Sequence, residues 1–230
     1  MDGQMVRRLT LPELLGHPLN HYEQRHAPEE LFVAGKLPIP LQAPRVSVVG
    51  TRNPTEKGVE STAELVQKLV QRNVIVVSGL ARGIDTIAHR TTIENRGKTV
   101  AVLGTPLDRF YPPENRELQQ HIMNEHLAVS QFPAGHQTRR SDFILRNRTM
   151  ALISDATVIV EAGESSGALS QGWEALRLGR PLFITEIVIK RRLEWPRIMM
   201  KYGARVLDDV DELIDLLPSR KFEWIKLLEL

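Results

Sequence analysis

Cysteine is absent from the 230-residue sequence, and aromatic residues are few: three tryptophans, three tyrosines and six phenylalanines. Without cysteine the chain has no disulfide, thiolate zinc site, iron–sulfur cluster or cysteine nucleophile. No apolar run approaches the roughly 18 residues that a membrane-spanning helix requires, and residues 1–8 lack the apolar stretch of a signal peptide. We therefore expect a cytoplasmic protein that does not contact a membrane.

A large excess of charge of one sign is also missing, because 30 Lys and Arg face 28 Asp and Glu, a net charge of +2. With 42% hydrophobic and 25% charged residues, the composition is that of a folded globular chain. Its length suits one domain with at most a small appendage. Any surface that binds nucleic acid must therefore be a local concentration of basic residues.

Short runs of β-branched and other apolar residues recur after residue 45, separated by stretches with helical periodicity. The predicted strands are Val46–Val49, Val74–Val77, Thr99–Leu103, Leu127–Val129, Thr157–Val160 and Leu182–Ile184. Uninterrupted apolar runs of this length are typical of strands that are buried on both faces of a parallel sheet. The alternation of strands and helices predicts an α/β fold of Rossmann type with a mainly parallel sheet.

The same pattern divides the chain into three segments. Residues 1–44 are mixed and Pro-rich, with helical patches at Leu11–Leu15 and Glu29–Val33, and we predict a lead-in that packs on the core. Residues 45–217 form the Rossmann-like domain, and residues 218–230 form a tail that caps it or binds a partner, capping being the more common outcome. The last predicted elements of the domain are a helix near Trp195–Lys201, an edge strand at Ala204–Leu207 and a helix at Asp209–Leu217.

Ligands of open α/β sheets bind beyond the carboxyl ends of the strands, so the segments that follow the strands are candidates for a site. Glycines there let the backbone approach a ligand, helix-opening amides favour an anion, and a guanidinium can bind phosphate bidentately. The candidates after the first two strands are Gly50, Thr51, Arg52, Ser78, Gly79, Arg82 and Gly83. Neither G-x-G-x-x-G nor a Walker A sequence occurs, which removes most support for ordinary NAD or ATP binding.

Two pairs of residues have alternative interpretations. In one interpretation, Asp85 and His89 belong to the site. In the other, Asp85 is the N-cap of the next helix and holds His89 in place. Phe110 and Tyr111 form a stacking platform for bases if they are exposed, or a loop plug if they are buried. Capping and plugging are the more common outcomes, whereas Arg109 beside the aromatic pair is assigned to the site.

The strongest basic cluster lies at residues 139–148, which contain four arginines and Phe143. A solvated helix face usually explains such a run. Its position between two predicted strands, at the edge of the sheet where ligands bind, equally favours contacts with a phosphate backbone. On the cluster alone, both interpretations stay open.

After the Thr157–Val160 strand, Gly163 to Gly167 match G-x-S-x-G between a strand and a helix, as in a nucleophile elbow. That arrangement needs a histidine after the serine in the chain, and all seven histidines precede Ser165. Ser166 and Gly167 are therefore predicted to open a second helix N-terminus that accepts an anion. H-E-x-x-H is absent as well, and we predict no catalytic residue, no metal and no cofactor.

Taken together, these segments resemble the DNA-processing protein A (DprA/Smf) family. Ser78–His89 match its S-G-x-A-x-G-I-D-x-x-A-H pattern in full. The other similar segments are Val49–Arg52 (V-G-[ST]-R), Gly104–Pro112 (G-x-x-x-D-x-x-Y-P), Phe143–Arg148 (F-x-x-R-N-R), and Glu161-Ala162 with Ser166–Leu169 (V-E-A…S-G-[SA]-L). The chain departs from the family at Ser170–Trp173, where T-A is usual, and at Ile184–Glu186, where V-P-G is usual.

The resemblance implies an extended Rossmann-like three-layer fold, a homodimer, and single-stranded DNA bound in a basic pocket. It also implies delivery of that DNA to a RecA-type recombinase in natural transformation or repair. The pocket would contain Arg52, the Ser78–Gly83 loop, Phe143 and Arg146-Asn147-Arg148. The resemblance covers the core of the family, without the helix-hairpin-helix-like N-terminal domain or the C-terminal winged helix of many members.

A nucleotide-binding or nucleotide-hydrolysing protein is the alternative, because the fold is similar to that of nucleoside-monophosphate phosphoribohydrolases. The P-G-G-x-G-T-x-x-E motif of those enzymes is absent at Glu161–Leu169. Glu161 or Glu174 would then act as acid or base. A scaffold whose arginines are only surface charge is the third possibility.

Overall fold

The computed structural model describes residues 6–42 and 44–218, and its centre is one nine-stranded sheet. The strands are β1 (Arg7–Leu9), β2 (Leu31–Gly35), β3 (Arg45–Val49), β4 (Ile75–Ser78), β5 (Thr99–Leu103), β6 (Leu127–Ser130), β7 (Ala156–Ile159), β8 (Leu182–Thr185) and β9 (Arg205–Leu207). Their order is β1-β2-β6-β5-β4-β3-β7-β8-β9. In this order, the seven neighbouring strands β6-β5-β4-β3-β7-β8-β9 run parallel to one another. Strands β1 and β2 pair antiparallel at one edge of the sheet. The predicted α/β class with a mainly parallel sheet is confirmed.

Ten α-helices and one short 3-10 turn at Pro113–Asn115 connect the strands in the described part of the chain. The helices are α1 (Leu11–Leu15), α2 (His21–His26), α3 (Glu56–Gln71), α4 (Ile84–Glu94), α5 (Arg116–Glu125), α6 (Arg140–Ile153), α7 (Ala168–Arg177), α8 (Glu186–Lys190), α9 (Glu194–Lys201) and α10 (Val210–Asp215). The predicted patch at Leu11–Leu15 is therefore a helix, and Thr10 caps it by accepting from the amide of Glu13.

The sheet is the middle of three layers, because neighbouring residues of its buried strands enter separate apolar cores. Val76 packs in the core formed with α3, α4 and α10, whereas Val77 packs in the core formed with α1, α6, α7 and α9. A third cluster joins α5 to the same face as α3 and α4, next to β5 and β6. Burial on both faces explains why the sequence of these strands is continuously apolar rather than alternating.

The prediction of a helix at Glu29–Val33 is wrong. This segment overlaps strand β2, which pairs antiparallel with β6. Leu31 and Val33 are fully buried, with the half-buried Phe32 between them, which is the period of a strand. The hydrogen-bonding edge of β6 needs a partner, and this tertiary requirement outweighs the local helical pattern. Residues before Pro44 thus contribute two strands to the sheet itself. The predicted tail, except its first residue, lies outside the described residues.

The strand order reverses beside β3, and this places the site. After β3 the chain adds β4, β5 and β6 on one side, then returns to add β7, β8 and β9 on the other. The connections that leave β3 and β7 therefore diverge to opposite faces, and a crevice opens between them at the carboxyl ends of the strands.

Candidate functional site

A groove lies in this crevice, at the carboxyl ends of β3, β4, β5 and β7. One half has a volume of about 490 Å³ and lies between the loop after β3, the first turns of α6 and the loop before α7. The other half has a volume of about 260 Å³ and lies between the loops after β4 and β5. Arg52, Ala81, Phe143 and Arg146 line both halves, so the two halves form one continuous groove.

The larger half is suited to an anion. Its wall contains the loop Gly50-Thr51-Arg52 and the segment from Gly163 to Ala168, where α7 begins. The Arg52 side chain is exposed and has no carboxylate partner among the described residues. The Arg52 guanidinium provides the donors on this wall that phosphate groups bind. The amides of Ala168, Leu169 and Ser170 at the start of α7 already donate to Ser166 and Gly167.

The smaller half has an aromatic wall. The rings of Tyr111 and Phe143 lie 5.4 Å apart between centroids at an interplanar angle of 51°, and Tyr111 is 41% exposed. Phe143 packs directly on Gly104, where an added Cβ would lie 2.6 Å from the Phe143 ring. Exposure of Tyr111 shows that the loop-plug interpretation is wrong for this residue. Because α6 brings Phe143 under it, Tyr111 presents an aromatic surface to the groove.

Arg146 is buried beneath the groove and links two strand ends. Its Nη1 donates to the carbonyl of Val102 at 2.9 Å and to the carbonyl of Gly79, and its Nε donates to Asn147 Oδ1 at 3.0 Å. An added side chain at Gly79 would collide with this guanidinium. Gly79 is therefore required by an internal contact, in addition to any approach of a ligand.

Asp85 supports the same place from helix α4. One carboxylate oxygen, Oδ2, accepts from the amide of Gly79 at 3.2 Å and from the amide of Ala81 at 3.3 Å. Burial raises the pKa of Asp85, while the charge of Arg146 and the hydrogen bonds from these two amides oppose that rise. The predicted N-cap is wrong, because the cap is Gly83 and Asp85 is already within the helix.

No hydrogen bond joins His89 to Asp85 in the described structure, so the predicted pairing of the two residues is also wrong. Its Nδ1 lies 2.7 Å from the hydroxyl of Thr99, which donates to the carbonyl of Val76. Burial, reinforced by the charges of His126 and Arg146, lowers the pKa of His89 to about 3. The imidazole is therefore neutral near pH 7. We call the buried residues Asp85, His89 and Arg146 the floor of the groove.

Gly83 allows the loop after β3 to lie against the start of α4. Its φ is +73°, a conformation that L-residues rarely adopt, and an added Cβ would collide with the backbone of Thr51 and Arg52. The amide of Ile84 donates to the carbonyl of Thr51 at 3.1 Å. This contact fixes the backbone that carries Arg52.

Glu161 fixes the same loop from the side of β7. Its Oε2 accepts from the amide of Thr55 at 3.0 Å and from the Thr55 hydroxyl at 3.1 Å, and its Oε1 pairs with Arg191. Its carbonyl accepts from the amide of Thr51 at 2.6 Å. The Glu161 side chain is 1% exposed and fully occupied by these partners, so it holds the loop in place.

Several predicted site residues lie apart from the groove or already have partners. Ser78 is fully buried, and its hydroxyl donates to the carbonyl of Val48 at 2.7 Å, so the hydroxyl does not reach a ligand. Arg148 points to helix α7, where its Nε lies 3.1 Å from Glu174. Arg109 lines a separate cleft. Residues 146 and 148 diverge because positions two apart on a helix face different directions.

Other predicted residues do lie at the groove. Asn147 donates to the carbonyl of Gly167 at 3.2 Å, and the hydroxyl of Ser166 accepts from the amide of Ala168 at 3.3 Å, so both shape the start of α7. Arg82 is exposed at the edge and pairs with Glu114. We call the exposed residues Arg52, Arg82 and Tyr111 the rim of the groove.

Some residues of this site were not assigned by sequence reasoning. Met150 and Gln171 line the larger half, and the Gln171 amide lies 3.4 Å from Thr157 Oγ1. Their uncharged side chains give no local signal of binding. Glu161 was considered as an acid or base, and the contact that shows its supporting role joins residues 106 apart in the chain.

The fold and the groove together define a class: a doubly wound α/β protein with a groove at the switch point of its sheet, lined by an exposed guanidinium and an aromatic wall. In the described residues, no group of three or more His, Asp or Glu could hold a metal ion. None of the helices described is long and apolar enough to cross a membrane.

Comparison with known proteins gives the family. The model of the DNA recombination-mediator protein A family matches residues 11–218, and the chain belongs to this family. The chain is 40% identical over 167 residues to the DNA processing protein DprA of Streptococcus pneumoniae, covering 73% of this chain and 58% of that protein. It is 28% identical to the DprA of Bacillus subtilis, over 86% of this chain and 67% of that one. The chain thus spans about three fifths to two thirds of these relatives.

Solved structures agree with this assignment. The DprA structure from S. pneumoniae matches with a TM-score of 0.80 and 32% identity, over 94% of this chain and 76% of that chain. DNA processing protein A from Helicobacter pylori, in a structure that describes its single-stranded DNA binding mode, matches with a TM-score of 0.70 and 26% identity. That match covers 82% of this chain and 86% of the other.

Proposed function

We propose that this chain binds single-stranded DNA in the groove, with phosphates at the larger half and a base against the aromatic wall. The observation that carries the proposal is the exposed Arg52, without a carboxylate partner in residues 6–42 and 44–218, next to the exposed Tyr111 and the underlying Phe143. Cationic tracking of the backbone combined with aromatic stacking is the general mode of binding a single strand without sequence preference. The H. pylori relative, which is described with single-stranded DNA, supports the same ligand.

Titration of a fluorescently labelled oligothymidine by anisotropy at two salt concentrations tests this proposal. We expect Arg52→Ala to weaken binding by about tenfold and to reduce the salt dependence by about one phosphate contact. The matched control is Arg197→Ala, which removes another exposed arginine, on α9. Unchanged affinity of the Arg52 variant, or an equal loss in the Arg197 variant, would refute the assignment of the groove.

We further propose that the protein acts by binding rather than by catalysis. The two carboxylates considered for acid–base chemistry are engaged: Glu161 by Thr55 and Arg191, and Glu174 by Arg148 at 3.1 Å and Arg177 at 2.8 Å. A nucleotide hydrolase is therefore not favoured. Absence of free base after incubation with nucleoside monophosphates is the expected result.

The biological setting proposed for this activity is cytoplasmic DNA processing in natural transformation or repair, by a homodimer that delivers the bound strand to a RecA-type recombinase. The family supports this setting through its description as a recombination mediator. Light scattering tests the dimer. Recombinase filament formation on single-stranded DNA, followed with and without this protein, tests the delivery.

A further inference from the structure

A second basic cleft lies beside the groove, across the loop after β5. Its volume is about 580 Å³, and its lining residues include Asp108, Arg109, Phe110, Arg116 and His136. Pro113 lines both this cleft and the aromatic half of the groove. Phe110 lines the cleft, and the next residue, Tyr111, lines the groove. A single loop therefore separates the two spaces. We call this space the second cleft.

The charge of the second cleft is available to a ligand. Arg109 and Arg116 are both exposed, and neither has a carboxylate partner within residues 6–42 and 44–218. The Arg116 guanidinium carbon lies 4.8 Å from the centre of the Phe110 ring, which fixes the cation by a cation–π contact. Within the described residues neither guanidinium donates a hydrogen bond to the protein, so both are available to a ligand.

The other titratable groups of the cleft leave this positive charge in place. Asp142 lies under it, with one oxygen 2.8 Å from His136 Nε2 and 2.7 Å from the amide of Arg139. Burial opposes ionisation of Asp142, but the hydrogen bonds from Arg139 and His136 outweigh it and lower its pKa. The Asp142 carboxylate is therefore engaged by His136 and by the Arg139 amide at the start of α6. Within the described residues, Asp108 is the one carboxylate that lines the cleft, against the two arginines.

We propose that the bound single strand continues from the groove across the Phe110–Tyr111 loop into the second cleft, where its phosphates contact Arg109 and Arg116. This inference rests on the proposed function and extends it: the ligand is a strand of several nucleotides rather than one nucleotide. Single-stranded nucleic acid fits the observations because it alternates phosphates with stackable bases, as the two spaces alternate guanidinium groups and aromatic rings.

Oligonucleotide length and salt dependence test the path in the full chain. The double variant Arg109→Ala/Arg116→Ala, called the cleft variant, is compared with a control double variant, Arg25→Ala/Arg197→Ala. The control removes two exposed arginines on α2 and α9. For an oligothymidine of about 20 nucleotides, the cleft variant is expected to bind at least about tenfold more weakly. Its log–log salt slope should fall by about 1.4, since each phosphate contact on a single strand contributes about 0.7. We expect an oligothymidine of about 6 nucleotides to occupy the groove alone, so its affinity should change less than about twofold.

Three outcomes separate this inference from the proposed function. If Arg52→Ala weakens both oligonucleotides while the cleft variant binds the long one like its control, the path is wrong and the groove stands. If neither variant changes either affinity, the proposed function itself fails. Replacement of both cleft arginines by lysine should retain the salt slope, because the charge and not the residue shape sets counterion release. Loss of the slope in the lysine variant would contradict the phosphate contacts.

Discussion

The rim and the floor of the groove both contain arginine, but on the rim Arg52 is open to a ligand, whereas the arginine on the floor holds the fold together. Arg52 on the rim is exposed and without a carboxylate partner in the described chain, whereas Arg146 on the floor is 7% exposed and bonded to two strand-end carbonyls. Both lie in motifs that sequence reasoning assigned to DNA. The difference shows that burial and existing partners decide whether an arginine can bind a ligand or must hold the fold together.

The carboxylates follow the same division. Glu114, at the edge of the groove, pairs with Arg82, and both side chains are exposed to solvent. Asp85, on the floor, is 5% exposed and accepts from two backbone amides next to a buried cation. Surface ion pairs contribute little to stability, while loss of one member of a buried pair leaves an uncompensated charge. Changes on the floor should therefore alter folding, and changes on the rim should alter binding.

The largest effect is expected from Arg146→Ala. Removal of the guanidinium leaves the carbonyls of Gly79 and Val102 without this donor and Asp85 without its countercharge, and should lower the free energy of unfolding by about 3–5 kcal/mol. Chemical denaturation measures the change. The matched control is Arg148→Ala on the same helix, whose partner Glu174 keeps Arg177. If both variants lose equal stability, the division into rim and floor is wrong.

A second variant keeps that prediction testable if Arg146→Ala does not fold. Asp85→Asn combined with Arg146→Met removes both of the charges that interact in the floor, while largely retaining side-chain volume. We expect this double variant to be more stable than Arg146→Ala alone, because no buried charge is left unpaired. Equal or lower stability of the double variant would contradict the electrostatic role of the floor.

Tyr111→Ala should separate binding from folding on the rim. The exposed ring is expected to stack on a base, so its removal should weaken binding of oligothymidine by about 1–3 kcal/mol, roughly 5- to 150-fold. The thermal midpoint should stay close to that of the wild type, since the ring is 41% exposed. Tyr111→Phe retains the stacking surface and is the matched control. A loss of affinity in the phenylalanine variant would indicate hydrogen bonding by the hydroxyl instead.

The smallest effect concerns the response of the floor to pH. With a pKa of about 3 in the folded state, His89 stays neutral, whereas an unfolded histidine takes up a proton below about pH 6.5. The unfolded state therefore binds more protons between these values, and the free energy of unfolding falls as the pH falls. From pH 7.5 to 5.5 the contribution of His89 is about 1.4 kcal/mol.

Denaturant unfolding of the wild type and His89→Gln at the two pH values measures this contribution. The wild type should lose about 1.4 kcal/mol more than the variant, because glutamine does not titrate. His126, whose pKa is also lowered by burial and by the charge of His121, acts in the same direction and is present in both proteins. Equal losses in the two proteins would show that His89 is accessible to protonation in the folded state.

Local sequence was sufficient for the main elements but not for the sheet edge. The buried strands from β3 to β8 were predicted at their observed places within about two residues, because continuous apolar runs have few other uses in a globular chain. The strand at Leu31–Gly35 was predicted as a helix. Its conformation depends on the unpaired edge of β6, which is more than 90 residues away in the chain and leaves no local signal.

Within the site, sequence reasoning found the loops and missed the contacts. It identified the segments around Arg52 and Gly79, because glycine and arginine at strand ends are typical of anion sites. It did not separate Arg146 from Arg148, although one supports the floor and the other pairs with Glu174. It also favoured Asp85 as a cap that holds His89. The Asp85 carboxylate instead accepts from the amides of Gly79 and Ala81 in the preceding loop, and a local capping pattern does not reveal these contacts.

The sequence by itself determined the class of fold, the order of the buried strands along the chain and the resemblance to a DNA-processing family. These follow from local patterns of apolar residues, glycine and charge, and they concern neighbours in the chain. The tertiary structure alone decided which charged groups are exposed at the rim, which are buried in the floor, and that a second cleft lies across the Phe110–Tyr111 loop. The physical reason is that desolvation and pairing depend on groups that are distant in the chain and meet only when the sheet has formed.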